Sequence, residues 1–316
     1  MAITLSDIQM STQDALCAQV IDEFRRSSFL LDRLPFDDAV SPYGGAAMTY
    51  AYNRVTTSPA AATRAINSEF VAKEAKKQRQ SVQLKVLGGA FQIDRVLAQM
   101  GGLTDEVQFQ MNQQIRATQA LFSDMVINGD TDEDANGFDG LDKAISGSDT
   151  ELSAGGIDLS TSAKVTANYM EFLDLLDVAI NTVDGAPSCL IGNAEMIAKL
   201  RACARRATMY QTTQDNWGRQ IECYGAVPFI DLGAKAGSST PIIATTAGKT
   251  GLYIVRFGLD GFHGVSVSGQ SPIRTWLPDF STSGAVKTGE VEMIAAVALK
   301  ATKAAAVLRN IQVAVA

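Results

Sequence analysis

One run of residues constrains this chain more than any other. From Thr104 to Asn128 there is no Pro and no Gly, and Val107, Met111, Gln114–Ile115, Thr118, Leu121–Phe122 and Met125–Val126 recur every three or four places. That spacing places the apolar side chains on one stripe of an α-helix. Thr104 stands at the capping position, and Asp105 and Glu106 follow in the first turn, where carboxylates favour the helix dipole. The reading is one helix of about 25 residues, roughly 38 Å long. Its Met and Phe stripe reads as core or interface packing, not as a cofactor box.

Immediately beyond the helix comes DEDANGFDGLDK, from Asp132 to Lys143. It begins like a calcium loop, with Asp132, Asp134 and Asn136 at alternate positions and Gly137 at the sixth. The second half fails. Lys143 stands at the twelfth position, where a bidentate carboxylate must close the ion's shell, and Asp139 replaces the usual aliphatic residue at the eighth. No metal is expected here. With Asp130 included, six acids precede Lys143.

On the N-terminal side, Ser11 and Asp14 form a capping box for a short helix carrying Leu16, Val20, Ile21 and Phe24. FLLDRLPFDDAVSPYGG follows, broken by Pro35, Pro42 and paired glycines, and reads as an extended arm. Its Phe29, Leu30, Leu31 and Phe36 cannot be buried within the arm itself. They must lie across another part of the protein or across another copy. Ala47 to Thr57 and Ser81 to Asp94 then read as two strands separated by about two dozen mostly polar residues. Loops of that length in compact domains tend to be functional or disordered. The hairpin tip is basic, with Arg64, Lys73, Lys76, Lys77, Arg79 and Lys85 opposed only by Glu69 and Glu74. It is either a solvated charged loop or a protruding arm that seeks an acidic partner.

Past the acidic turn, Asn168 and Glu171 open a helix that runs to Gly185, Ser188–Gly192 is a short buried strand, and Asn193 caps AEMIAKLRACARR. Alternation through GAVPFID, PIIATT and GLYIVRF makes Asn168 to about Phe262 an α/β unit. From Val265 the texture is β, through GVSVSG, a Pro- and Trp-bearing turn and EVEMIAAVALK, before the closing KAAAVLRNI.

Chemistry is scarce. AGKT (Ala247 to Thr250) has the end of a phosphate-binding loop, but Ile243 occupies the required upstream glycine position and a strand follows it. His263 is the one histidine, with no Ser–Asp or Cys constellation around it, and reads as structural or surface. The four cysteines show no CxxC spacing, as for thiols in a reducing compartment. A net charge of −7 argues against a protein that coats nucleic acid, since phosphate binding needs clustered cations. There is no signal peptide and no run approaching the ~20 apolar residues of a membrane span, so folding in a cytoplasm is expected. The sequence offers no active site, no cofactor and no enzymatic reading beyond an α/β enzyme whose site goes unrecognised.

The order of parts carries more than any motif. An arm, a long basic hairpin, one long helix ending in INGD (Ile127 to Asp130) with a Gly140-Leu141 turn, an α/β unit and a β segment ending in AVALKATKAAA (Ala296 to Ala306) together resemble the major capsid proteins of tailed bacteriophages. The resemblance implies an α+β, HK97-like capsid fold. Residues 1–46 would be the N-terminal helix and arm, and 47–95 the extended hairpin or E-loop. Residues 96–165 and 264–302 would form a discontinuous P-domain around a spine helix, and 166–263 with 303–316 an α/β A-domain. The implied function is construction of an icosahedral shell from hexamers and pentamers of one chain, enclosing double-stranded DNA without reading its sequence. Such a chain would be located in the virion after assembly in the host cytoplasm, with portal, scaffolding and decoration proteins as further partners. Only some thirty residues precede the arm, so the resemblance is to members without a fused scaffold. Some relatives cross-link a hairpin lysine to a neighbour; Lys73, Lys76 and Lys77 lie in that segment, but none aligns and no bond is assigned. An encapsulin-like shell around protein cargo is the structurally close alternative. Two readings of the acidic turn remain: a solvated chain reversal, and a landing surface in which Asp132, Glu133 and Asp134 meet a neighbour's Arg64, Lys73, Lys76, Lys77 and Arg79.

Overall fold

The structure is a computed structural model that describes residues 29–40, 48–100, 105–214, 220–268 and 273–315. The expected helix around Ser11–Phe24, Pro42, the paired glycines and the Thr104 cap lie outside those residues. The long helix is present as Glu106–Asn128, 23 residues and about 35 Å. Its cap is one residue later than the spacing suggested: the Asp105 carboxylate accepts from the Val107 and Gln108 backbone N–H groups. Aspartate satisfies two of the four orphan donors of the first turn and adds charge at the positive end of the dipole.

The described strands, in chain order, are β1 (Phe36–Val40), β2 (Thr49–Thr57), β3 (Lys76–Gln83), β4 (Lys85–Asp94), β5 (Glu151–Ser153), β6 (Cys189–Ile191), β7 (Tyr210–Gln214), β8 (Gln220–Tyr224), β9 (Val227–Ile230), β10 (Lys249–Val255), β11 (Phe262–Val267), β12 (Ile273–Trp276), β13 (Val286–Leu299) and β14 (Ala305–Gln312). They make two larger sheets and one free ribbon. β13 is the axis of the first sheet. β4 pairs along one of its edges, while β12 and β11 share the other, with β1 parallel to β11 outside. The long helix lies across β4 and β13. The second sheet runs β5-β14-β10-β6-β9-β8-β7, with helices Ser162–Thr182 and Ala194–Arg206 over one face. The ribbon is β2 paired with β3 alone.

Several expectations change in detail. The helix predicted to open at Asn168 begins at Ser162, capped by Thr161, because the Thr161 hydroxyl accepts from the Lys164 N–H. PIIATT is not a strand; it is a turn held by single bridges beside β10. The run Ser81 to Asp94 is two strands broken at Leu84. Its first part starts earlier, at Lys76, and stays in the ribbon, whereas β4 joins the first sheet. Residues 85–94, read with the hairpin, and 151–153, read with the long helix, therefore pair elsewhere. The arm is not fully extended either. Phe29–Arg33 makes one helical turn before β1, and Leu30 and Leu34 are buried in the chain's own core. Phe36 reaches Phe122 of the long helix at 6.1 Å between rings, through a slot opened by Gly264, where a Cβ would meet the Phe36 ring at 2.6 Å.

The cores follow from these layers. Phe122, Val126 and Ile127 of the helix, Phe138 and Leu141 of the turn, and Met293, Ala295 and Val297 of β13 pack as one cluster that continues onto one face of the second sheet. The sheets are joined by the Leu299–Ala304 segment, where the Lys-Ala motif proves to be a crossover. A short 3-10 turn, Thr302–Ala304, leads into Ala304, Ala305 and Ala306, all fully buried. Only small side chains fit there, because Gly261 lies against Ala304.

Candidate assembly surfaces

The hairpin leaves the body at a root built by period-two alternation. Tyr50, Tyr52 and Arg54 share one face of β2, and that face meets the crossover. Tyr52 donates its hydroxyl to the Leu299 carbonyl at 3.0 Å. Arg54 donates to the Lys300 carbonyl at 2.9 Å, the Leu299 carbonyl at 2.5 Å and the Thr302 hydroxyl at 3.2 Å. Tyr50 donates to Asp37 at 2.7 Å, and burial, followed by that bond, raises its hydroxyl well above the usual tyrosine range. Val40, Tyr50, Leu84, Val265 and Ala298 form a small cluster beneath. Sequence reading missed this clamp, although Tyr-x-Tyr-x-Arg on one strand face was its signal.

Beyond Val55 the ribbon is bare. Residues 58–75 have no helix or strand and are exposed throughout. Arg64 and Lys73 lie in this tip; Lys76, Lys77 and Arg79 instead stand on β3, opposite Thr57, Val55 and Asn53. Lys85 is not at the tip at all: it opens β4 and donates to the Ala135 carbonyl of the acidic turn at 2.8 Å. The tip is also less polar than its charges suggested. Ile66 is 91% exposed, Val71 83% and Phe70 62%. The Arg64 guanidinium lies 5.3 Å from the Phe70 ring centre and donates to the Ala65 and Ser68 carbonyls, so the tip has local order without a core.

The acidic turn closes on the end of the long helix. Gly129 and Gly140 meet backbone to backbone, with the Gly140 N–H donating to the Gly129 carbonyl at 2.7 Å. A Cβ on Gly129 would lie 2.2 Å from the Phe138 carbonyl, and one on Gly140 2.7 Å from the Ile127 and Met125 carbonyls. The NGD and GL motifs are thus the two halves of one contact. Inside the loop the cation is Lys143 itself. Its ammonium lies 2.5 Å from Asp130, 2.8 Å from Asp132 and 3.0 Å from Asp139, and donates to the Thr131 hydroxyl. These carboxylates raise the Lys143 ammonium well above the ordinary lysine value, and hydrogen bonds hold Asp130 and Asp139 below the ordinary carboxylate value. Asp142 faces inward and ties the turn to the second sheet, accepting from Tyr253 at 2.5 Å and from Arg309 at 2.7 Å.

Of the proposed acidic contacts, Asp132 is therefore paired within the chain. The Asp134 carboxylate accepts from the Asn136 backbone at 2.9 Å, and neither Glu133 nor Asp134 forms an ion pair among the described residues. Arg64, Lys73, Lys76, Lys77 and Arg79 form none either, so one chain does not bring the two charged sets together. Among the described residues no group of three or more His, Cys, Asp and Glu side chains could hold a metal, and no helix is long and apolar enough to cross a membrane. Cys189, Cys203 and Cys223 are buried, Cys189 and Cys203 as free thiols, and burial pushes Cys203 up to about 11.

A helix laid across a sheet, a β-hairpin projecting from its edge and a second α/β layer joined by a crossover define the HK97-like capsid fold. Solved shells of that architecture match nearly the whole chain. The holo-SrpI encapsulin complex from Synechococcus elongatus PCC 7942 superposes with a TM-score of 0.67 at 15% identity, over 99% of this chain and 97% of that one. The capsid of a native GTA particle gives 0.59 at 13% identity, over 96% of each chain. The capsid of Myoviridae phage XM1 gives 0.58 at 11% identity, over 98% of this chain and 99% of that one. These are shell proteins and not enzymes. No protein-family model matches the sequence, and no curated protein sequence does.

Proposed function

We propose that this chain is a major capsid protein whose copies close into an icosahedral shell around double-stranded DNA. One observation carries the reading: a hairpin tip with Ile66, Phe70 and Val71 exposed and covered by none of the described residues. Apolar groups held out in solvent on a structured arm mark an interaction site. A neighbouring copy is the partner that a shell architecture supplies. Around the apolar tip, Arg64, Lys73, Lys76, Lys77 and Arg79 favour an acidic landing surface, for which Glu133 and Asp134 are the candidates left without an ion pair. Interfaces of this kind have an apolar centre and a charged rim that sets orientation.

The second reading is a compartment shell with protein cargo, and the superposition on the encapsulin at a TM-score of 0.67 favours it. Electron microscopy of the purified full-length protein tests the common part. Closed particles are expected, and a chain that remains monomeric under all assembly conditions would overturn both readings. Nuclease-protected double-stranded DNA in particles isolated from their natural source supports the capsid reading. A co-purifying protein cargo without DNA replaces it with the compartment.

A further inference from the structure

Beneath the hairpin root lies the chain's one histidine. His263, on β11, is fully buried, and among the described residues neither ring nitrogen is in a well-formed hydrogen bond, the Gly261 backbone being its nearest approach to one. Buried polar groups are almost always paired, so a poorly paired imidazole here requires a reason. The groups facing the ring come from every neighbouring element. From β2, Tyr50 presents its ring edge-on at 5.7 Å and 77°, with Tyr52 next to it at 6.1 Å. From β1 comes Asp37, from the end of β13 Lys300, and from the loop before β11 come Asp260 and the Gly261 backbone. Asp37 is already occupied: it accepts from Tyr50 at 2.7 Å and lies 3.8 Å from the Lys300 ammonium, which itself sits 5.3 Å from the Tyr50 ring centre.

We propose that His263 is an acid-sensitive latch for the hairpin, whose uptake of a proton from solvent loosens the Tyr50–Asp37 root and frees the ribbon to change its angle. An imidazolium at this site would be shut off from solvent, would sit beside Lys300, and would find Asp37 shared between Tyr50 and Lys300. It gains the Asp37 carboxylate if Asp37 lets go of Tyr50, and solvation if the root opens to water. Either change acts where the ribbon is held, since beyond Val55 no described residue outside the ribbon attaches it.

Burial, and then Lys300, hold the imidazole below its ordinary value of 6.5 in the closed root, against weaker opposing pulls from Asp37, the Gly261 backbone and Asp260. The sign follows. A base whose protonation is suppressed in the closed state favours closure fully above its ordinary value and progressively less below it. Between pH 6.5 and the depressed value, the open-to-closed ratio rises up to tenfold per pH unit.

Hydrogen exchange of the full-length protein, in whatever assembly state it purifies, reads this directly. After correction for intrinsic rates, root amides at 50–56 and 78–83 should gain up to tenfold in exchange per pH unit as pH falls from 6.5 toward the depressed value, and His263→Phe should abolish that slope. A flat wild-type profile, or the same slope in His263→Phe, overturns the latch. Should the variant not fold, the single imidazole can be followed by NMR in the wild type without assignment. A midpoint below 6.5 shared with root exchange supports the latch; a midpoint at or above 6.5, or exchange that does not follow it, overturns it. None of these outcomes depends on shell formation, so the two readings fail separately.

Discussion

At the scale of single residues, Lys143 is the most informative position. The sequence pattern around it resembles a calcium loop in which the closing carboxylate has been replaced by a cation, and the structure shows why the loop still closes: the ammonium occupies the centre of Asp130, Asp132 and Asp139. Lys143→Gln removes that charge and leaves three carboxylates facing one another. The variant should melt at lower temperature than the parent, and calcium should raise its melting temperature while leaving the parent unchanged; differential scanning fluorimetry with and without the ion measures both. The pH dependence has a definite sign. Asp130 and Asp139 are held below 3.8, so their stabilising share is complete above that value and is lost as pH falls through the depressed one. Lys143 is held above 10.5, so its share is complete below that value and is lost as pH rises through the raised one. Acid and alkali should both open the turn, and neutral pH should leave it shut.

At the scale of elements, the long helix was legible because its apolar stripe, uninterrupted by Pro or Gly, has only one regular solution. The hairpin was legible as two strands but not in its register. Lys76 to Gln80 carry no hydrophobic alternation, and their strand state is set by pairing with β2. Two substitutions separate the roles of these elements. Phe122→Ala, fully buried between Phe36 and Phe138, should cost about 3–5 kcal/mol in chemical denaturation. Ile66→Ser with Phe70→Ser, both exposed at the tip, should leave the denaturation midpoint within error, yet on the shell reading reduce particle yield by an order of magnitude or more in sedimentation. Loss of stability in the tip variant would show that the tip is held by its own chain.

At the scale of the whole molecule, the prediction is electrostatic. Lys76→Glu with Lys77→Glu reverses charge on an exposed strand that pairs only with β2 among the described residues, so the subunit should fold normally while, on the shell reading, assembly fails. On the same reading, wild-type assembly should weaken as salt is raised toward 1 M, where the screening length is about 3 Å. Normal particles from the double variant, at low and high salt alike, would remove the basic edge of the hairpin from the interface.

Local periodicity, capping residues and the order of parts determined the long helix, most of the strands and the resemblance to a shell fold, because these depend on neighbours within a few positions. Tertiary structure alone decided that β4 leaves the hairpin for β13, that the arm packs on Phe122 of its own chain, and that the Lys143 ammonium sits among Asp130, Asp132 and Asp139 in the loop that only begins like a calcium site. It also placed His263 under Tyr50 rather than at the surface. Each of those outcomes joins residues far apart in the chain, where long-range pairing and desolvation outweigh any local preference.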